Sequence, residues 1–116
     1  MAYDEELADR IREVLGGVRD VSEKKMFGGL AFLIHGNMAI AASGQGGLLV
    51  RVDPAQSDRL VATTNARPME MRGREMAGWL RVDADDVRTK RQLSTWVVRG
   101  RSCAEALPAK AAKRRA

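Results

Sequence analysis

The segment spanning 24 to 52, KKMFGGLAFLIHGNMAIAASGQGGLLVRV, restricts the fold of this chain more than any other stretch. It holds three short runs in which large apolar residues recur at every second position, the period of a β-strand. Leu30, Phe32 and Ile34 take one side, with Ala31 and Leu33 on the other. His35-Gly36-Asn37 has the length and residue types of a hairpin turn. Met38, Ile40 and Ala42 then alternate with Ala39, Ala41 and Ser43. Gly44 to Gly47 make a second turn, after which Leu48, Val50 and Val52 alternate with Leu49 and Arg51. Three strands joined by short turns form an antiparallel meander. Upstream, Gly28-Gly29 reads as a bulge within one long bent strand over 21–34. A hairpin there would leave a very short, lysine-rich partner strand.

The two faces of this meander differ. One is large and apolar, as a core requires. The other carries Ala31, Leu33, Ala39, Ala41 and Leu49, which is less polar than a solvated face. Apolar sheet area of that kind is ordinarily covered. Leu33, Ala39, Ala41 and Leu49 are therefore the candidate protein interface, for a partner or for a second copy of the chain.

Around the meander the periodicity changes to helical. Leu7, Ile11, Val14 and Leu15 predict an amphipathic helix over 4–15, with Asp4, Glu5 and Glu6 at its dipole-favoured end and Gly16-Gly17 as its stop. Asp53-Pro54 is an N-cap followed by proline at the first helical position, opening a short helix that ends near Val61 or Ala62. Thr63 to Pro68 reads as a loop. Met69-Glu70-Met71 and Ala77 to Val82 flank Arg72-Gly73-Arg74 as a second hairpin, with Met76, Leu80 and Val82 on one side and Trp79 opposite. A long helix over about 84–99, capped by Asp83 or Asp85, buries Val87, Leu93, Trp96 and Val97 and stops at Gly100. Ser102 caps a last short helix through Leu107, and Pro108 closes the body. The expected fold is α+β: a two-layer sandwich of one mainly antiparallel sheet, about five strands, with helices packed on it.

A chain of 116 residues is one domain by size. Residues 1–108 read as that domain and 109–116 as a basic, disordered tail. The net charge is +5, but Lys110, Lys113, Arg114 and Arg115 account for four of the basic residues. The body is thus nearly neutral, and a tail of this kind attracts polyanions without sequence preference. Aromatics are only 4% and methionines number six, so methionine is expected to share the packing. One cysteine excludes an internal disulfide, and one histidine excludes a multi-His/Cys metal centre. The acidic N-terminus lacks the apolar core of a secretory signal, and no apolar run reaches the roughly 18 residues of a membrane span. A cytoplasmic location is the expectation.

No combination of residues spells out a reaction. His35 is expected in an exposed turn and Cys103 as a small buried side chain, and neither has a sequence neighbour that would make it a nucleophile or base. The glycines of MFGG and GQGG lack P-loop spacing and a following helix. Asp83, Asp85 and Asp86 are accounted for by helix capping. No catalytic residue, cofactor or metal is expected, and the chain reads as a non-enzyme. A nucleic-acid surface is the alternative. Arg88, Arg91 and Arg99 fall at i, i+3 and i+11 on the long helix, away from the Trp96 stripe. Arg72, Arg74 and Arg81 add charge on the second hairpin, Lys24 and Lys25 on the first strand, and Lys113, Arg114 and Arg115 in the tail.

The segment Lys25-Met26-Phe27-Gly28-Gly29, the meander behind it, Arg51-Val52-Asp53, and Arg72-Gly73-Arg74-Glu75-Met76 with Trp79 ahead of a capped helix form a pattern. Over residues 4 to 107 it resembles the TfoX/Sxy N-terminal domain family of bacterial proteins. The resemblance implies a two-layer α/β sandwich with one antiparallel sheet. It also implies a setting in transcription regulation, since full-length members are implicated in competence for DNA uptake together with other transcription factors. Those members carry a second, helical domain. This chain stops where that domain would begin, so the expectation is a stand-alone N-terminal domain. No catalytic residues come with the resemblance.

Overall fold

The computed structural model describes residues 3–26, 28–71 and 73–107, apart from the side chains at 26, 71 and 77. The elements run α1 (Glu5–Val14), β1 (Val21–Met26), β2 (Gly29–Ile34), β3 (Asn37–Ala42), β4 (Leu48–Arg51), α2 (Pro54–Thr63), β5 (Arg67–Met71), β6 (Arg74–Val82), a 3-10 turn (Ala84–Val87) and α3 (Lys90–Glu105). The six strands form one sheet in the order β1-β2-β3-β4-β6-β5, and every neighbouring pair is antiparallel. The α+β class and the meander stand as expected. The connection through α2 carries the chain past β6, so β5 becomes one edge of the sheet and β1 the other.

The sixth strand arises where a bulge was expected. Residues 21–34 are not one bent strand: β1 folds back on β2 with Val21 opposite Ile34 and Met26 opposite Gly29. Lys24 and Lys25, which argued against a separate strand, are with Glu23 the charged residues that suit β1 to an edge. Charge along an open edge discourages further pairing. The opposite edge is treated differently, with Pro68 in β5 paired against Leu80. Proline has no N–H to offer and is confined to such positions. The expected loop at 63–68 is shortened accordingly, because β5 already begins at Arg67.

One face of the sheet holds the core. Leu30, Phe32, Ile34, Ile40, Ala42, Leu48, Val50, Leu80 and Val82 form one cluster with Leu7, Ile11 and Leu15 from α1 and its cap, Leu60 from α2, and Leu93, Trp96, Val97 and Ala104 from α3. All three helices bury their apolar side chains in this cluster. Methionine has no part in it among the described side chains: Met38 and Met69 are half-buried and Met76 is exposed. β-branched and leucine side chains fill the space with better-defined rotamers.

The helix ends follow local chemistry. Asp4 caps α1 by accepting from the N–H groups of Glu6 and Leu7. Asp53 caps α2 by accepting from Ala55 N–H. The helix expected over 84–99 is two elements. Thr89 and Gln92 form a reciprocal capping box that starts α3 at Lys90 and leaves Ala84–Val87 as a 3-10 turn. Arg10 of α1 secures this break by donating to the carbonyls of Val87 (2.8 Å) and Arg88 (3.1 Å).

Nor does α3 stop at Gly100; it runs on to Glu105 and absorbs the expected last helix. Gly100 is there for contact. A Cβ on it would lie 2.4 Å from the carbonyl oxygen of Ala39, so α3 meets β3 backbone to backbone. Gly100→Ala is therefore expected to lose about 1–3 kcal/mol through overpacking, although alanine is the better helix former by about 1 kcal/mol. Urea unfolding measures this, with Gly17→Ala, which meets nothing within 4 Å, as the control. A stabilised Gly100→Ala would refute the close approach.

At the β1 edge, Arg12 of α1 donates to Glu23 Oε2 (2.7 Å) and Oε1 (2.9 Å) and also pairs with Asp9. The hydrogen bonds from Arg12 hold the Glu23 carboxyl below its ordinary value of 4.5, against the opposing effect of burial. A folded value below the unfolded one means stability present above about pH 4.5 and lost as the pH falls through the folded value. Glu23→Gln should be less stable than the parent at neutral pH, by a small margin for so exposed a pair. Melting curves from pH 7 to pH 2 should show that margin closing; a constant margin would mean that the pair contributes nothing.

Candidate binding face

The register places a second set of side chains on the sheet face opposite the helices. One row crosses all six strands: Lys24, Ala31, Ala41, Leu49, Arg81 and Arg67 are successive cross-strand partners. Beside it, Ser22, Leu33 and Met38 are partners on β1, β2 and β3, and Arg51 faces Trp79 across β4 and β6. None of Ala31, Leu33, Met38, Ala41 and Leu49 belongs to the core cluster or packs against it. Ala31 and Ala41 are buried, methyl-sized side chains set between longer neighbours, whereas Leu33, Met38 and Leu49 are half-buried.

Two irregularities shape this face. Phe32 pairs with Ile40 but Leu33 pairs with Met38, so Ala39 is an extra residue in β3. This bulge reverses the alternation ahead of it. Ala39 turns into the core, where it is fully buried under α3, and Met38 takes the open face in its place. Of the four residues expected at an interface, Leu33, Ala41 and Leu49 lie on the open face and Ala39 does not. The second irregularity is in β6, where pairing with β5 jumps from Pro68–Leu80 to Glu70–Glu75. Gly78 sits in the jump with φ at +85°, and its carbonyl accepts from Val52 N–H. The residues before it lose the alternation of those after it, so Met76 is exposed while Leu80 and Val82 are buried.

The charged groups of the face gather at its margins. Arg51 stacks over Trp79, its guanidinium carbon 5.2 Å from the ring centre. Arg67 and Arg81 stand directly opposite each other. Arg67 is paired with Asp83, and Arg81 donates to Ser43 Oγ at 3.2 Å. Both line an open concavity of about 590 Å³ together with Gln45, Gly46, Glu70 and Asp83.

The arginines expected to form a nucleic-acid surface are dispersed. Arg74 is exposed at the start of β6, and Arg88 is exposed beyond the 3-10 turn, outside α3. Arg91 and Arg99 do line one concavity with Asp86 and Asn65, which bond to each other. Arg99 is not turned away from the Trp96 stripe but stacks on that ring at 4.5 Å. Arg72, Lys113, Arg114 and Arg115 lie outside the described residues, as does the tail.

His35 and Cys103 occupy different neighbourhoods. His35 forms the β2–β3 turn with Gly36, both at positive φ, and is half-exposed, with Nδ1 3.1 Å from Asp20 Oδ2. Cys103 is half-buried in a groove between α2 and α3, lined in part by Pro54, Leu60 and Val98. Burial raises its thiol above the ordinary value and outweighs the nearby Arg51 charge, which keeps it protonated at neutral pH. Among the described residues no group of three or more His, Cys, Asp or Glu side chains could hold a metal ion, and no helix is long and apolar enough to cross a membrane.

Alternation already sets Arg51 with Leu49 and Trp79 opposite Leu80, but Met38 and Arg67 were missed on the open face, as was the facing of Arg51 and Trp79. The bulge at Ala39 and the strand order β4-β6-β5 bring these about.

These features define a two-layer α+β domain whose single antiparallel sheet carries, among the described residues, helices on one face. The chain belongs to the TfoX N-terminal domain family, whose profile matches residues 13–104. No curated protein and no solved structure matches it.

Like charges directly opposite on a sheet are destabilising by roughly 0.2–1 kcal/mol. Arg81→Gln, which keeps a donor for Ser43, should therefore leave stability unchanged or raise it by up to about 1 kcal/mol. Denaturant midpoints test this; a loss larger than that would make Arg81 a structural support rather than an idle charge.

Proposed function

We propose that this domain is a non-enzymatic regulatory or adaptor module that engages a protein partner through the open face of its sheet. The observation that carries the reading is the set of apolar side chains on a face that, among the described residues, no helix covers. A sheet with apolar residues on both sides is ordinarily closed by a second layer. Here Leu33, Met38 and Leu49 keep part of their surface available around the Ala31–Ala41 pair. Membership of the TfoX N-terminal domain family is consistent with a regulatory setting of the competence type. The separation of His35 from Cys103, and a thiol held in its protonated form, favour binding over catalysis.

A second reading, nucleic-acid association, has one observation in its favour: Arg91 and Arg99 share a concavity. Asp86 in the same place, and the engagement of Arg99 with Trp96, weaken it.

Leu33→Glu and Leu49→Glu separate these readings. Each buries a carboxylate in any complex formed on the face, which costs several kcal/mol, while the free domain keeps that side chain half-solvated. The expected result is an unchanged circular dichroism spectrum and at least a tenfold loss of the proteins captured from native extract by the parent. Equal capture by both variants would refute the reading. Salt-sensitive binding of an oligonucleotide to the parent and to both variants alike would establish the second one.

A further inference from the structure

We propose that the open sheet face is a docking site for an acidic amphipathic helix of a partner protein. The inference rests on the binding-module reading above and adds the chemistry of what binds.

The floor of the site is Ala31 beside Ala41, adjacent across β2 and β3. Both alanines are already covered in the free domain, so the exposed parts of Leu33, Met38 and Leu49 around them are what meet apolar anchors. The row through this floor is basic at both ends, with Lys24 on β1 and Arg81 and Arg67 on β6 and β5. Five strand spacings separate Lys24 from Arg67, about 24 Å in all. A helix of about 16 residues has that length. Laid along the row, it would set its apolar stripe on Leu33, Met38 and Leu49 and its carboxylates against the cations. Arg51, two residues beyond Leu49 on β4, adds a further charge beside Trp79.

The Arg67–Arg81 end fits a carboxylate best. Arg67 and Arg81 face each other across β5 and β6 and line one concavity, and an anion placed there would be favoured by both. Asp83 already pairs with Arg67, and Glu70 lines the same concavity, so Arg81 is the principal contact there.

Charge also decides against other occupants. A second copy of the chain would bring the same basic margins to the contact. The chain's own tail carries Lys110, Lys113, Arg114 and Arg115 and would be repelled likewise. A single nucleic-acid strand needs ring faces for its bases. Among the described residues of this face, Trp79 is the aromatic side chain, and Arg51 is already stacked on it.

The test is fluorescence anisotropy with the full chain and a labelled 16-residue helical peptide bearing Leu and Ala on one face and Glu on the other. Three probes accompany it: the same residues scrambled so that no apolar stripe remains, the peptide with Lys for Glu, and oligo-dT. The expected result is saturable binding of the acidic peptide, at least tenfold tighter than either control peptide. That binding should weaken at least tenfold in Lys24→Glu/Arg81→Glu at unchanged melting temperature. The peptide controls read the same chemistry should the double variant fail to fold. The proposal is overturned if the scrambled peptide binds equally well, if the double variant binds like the parent, or if oligo-dT binds more tightly and is lost in that variant. A sedimenting dimer that Leu49→Glu splits would also overturn it. If the acidic peptide fails while Leu33→Glu and Leu49→Glu still abolish partner capture, the acidic helix falls and the binding module stands.

Discussion

The contact on which the rest of the structure depends is Gly100 of α3 against the carbonyl of Ala39. It lets the longest helix sit low on the centre of the sheet, where Leu93, Trp96, Val97 and Ala104 close over Ile40, Leu48 and Val50. The bulge in β3 is the other half of the same contact: the extra residue turns Ala39 toward the helix. Any larger side chain at either position would lift the helix and open the core. For a domain this small, whose core is correspondingly thin, that loss has no second layer to absorb it.

That arrangement gives the two faces of the sheet different roles. One carries all three helices and does the folding. The other is left to its own short side chains, with alanine at the centre and basic groups at the margins. Because Leu33, Met38 and Leu49 lie outside the core cluster and are half-buried, polar substitutions at them should cost the fold little. The same holds of the like-charged pair Arg67 and Arg81, since nothing in the packing of the free domain requires it.

Much of this was readable from residue order. Alternation from Leu30 to Val52 gives the meander, Asp4 and Asp53-Pro54 give two helix starts, and Leu7, Ile11, Leu93, Trp96 and Val97 give the core sides of α1 and α3. What escaped reading had physical reasons. Lys24 and Lys25 argue against a buried strand, and β1 is an edge. Gly100 signals a stop by propensity, and tertiary contact overrides it. Thr89-x-x-Gln92 was the better start signal for α3 and lay beyond the aspartates that also suit capping. The reversal at Ala39 has no local mark, so of the five residues read onto the open face Ala39 alone is on the core side, with Met38 in its place. Arg67 reaches that face, and Trp79 comes to face Arg51, only through the order β4-β6-β5, which no short-range pattern encodes.

The two sheet edges carry one further consequence. Lysines and glutamate line β1, and Pro68 removes a donor from β5, so neither border invites another strand to zip alongside. A hairpin-rich chain with a bare apolar plane would otherwise be a candidate for runaway cross-β stacking. With its borders blunted, this molecule can be approached from above but not prolonged sideways. The open plane, not the borders, is what the sheet leaves for contact.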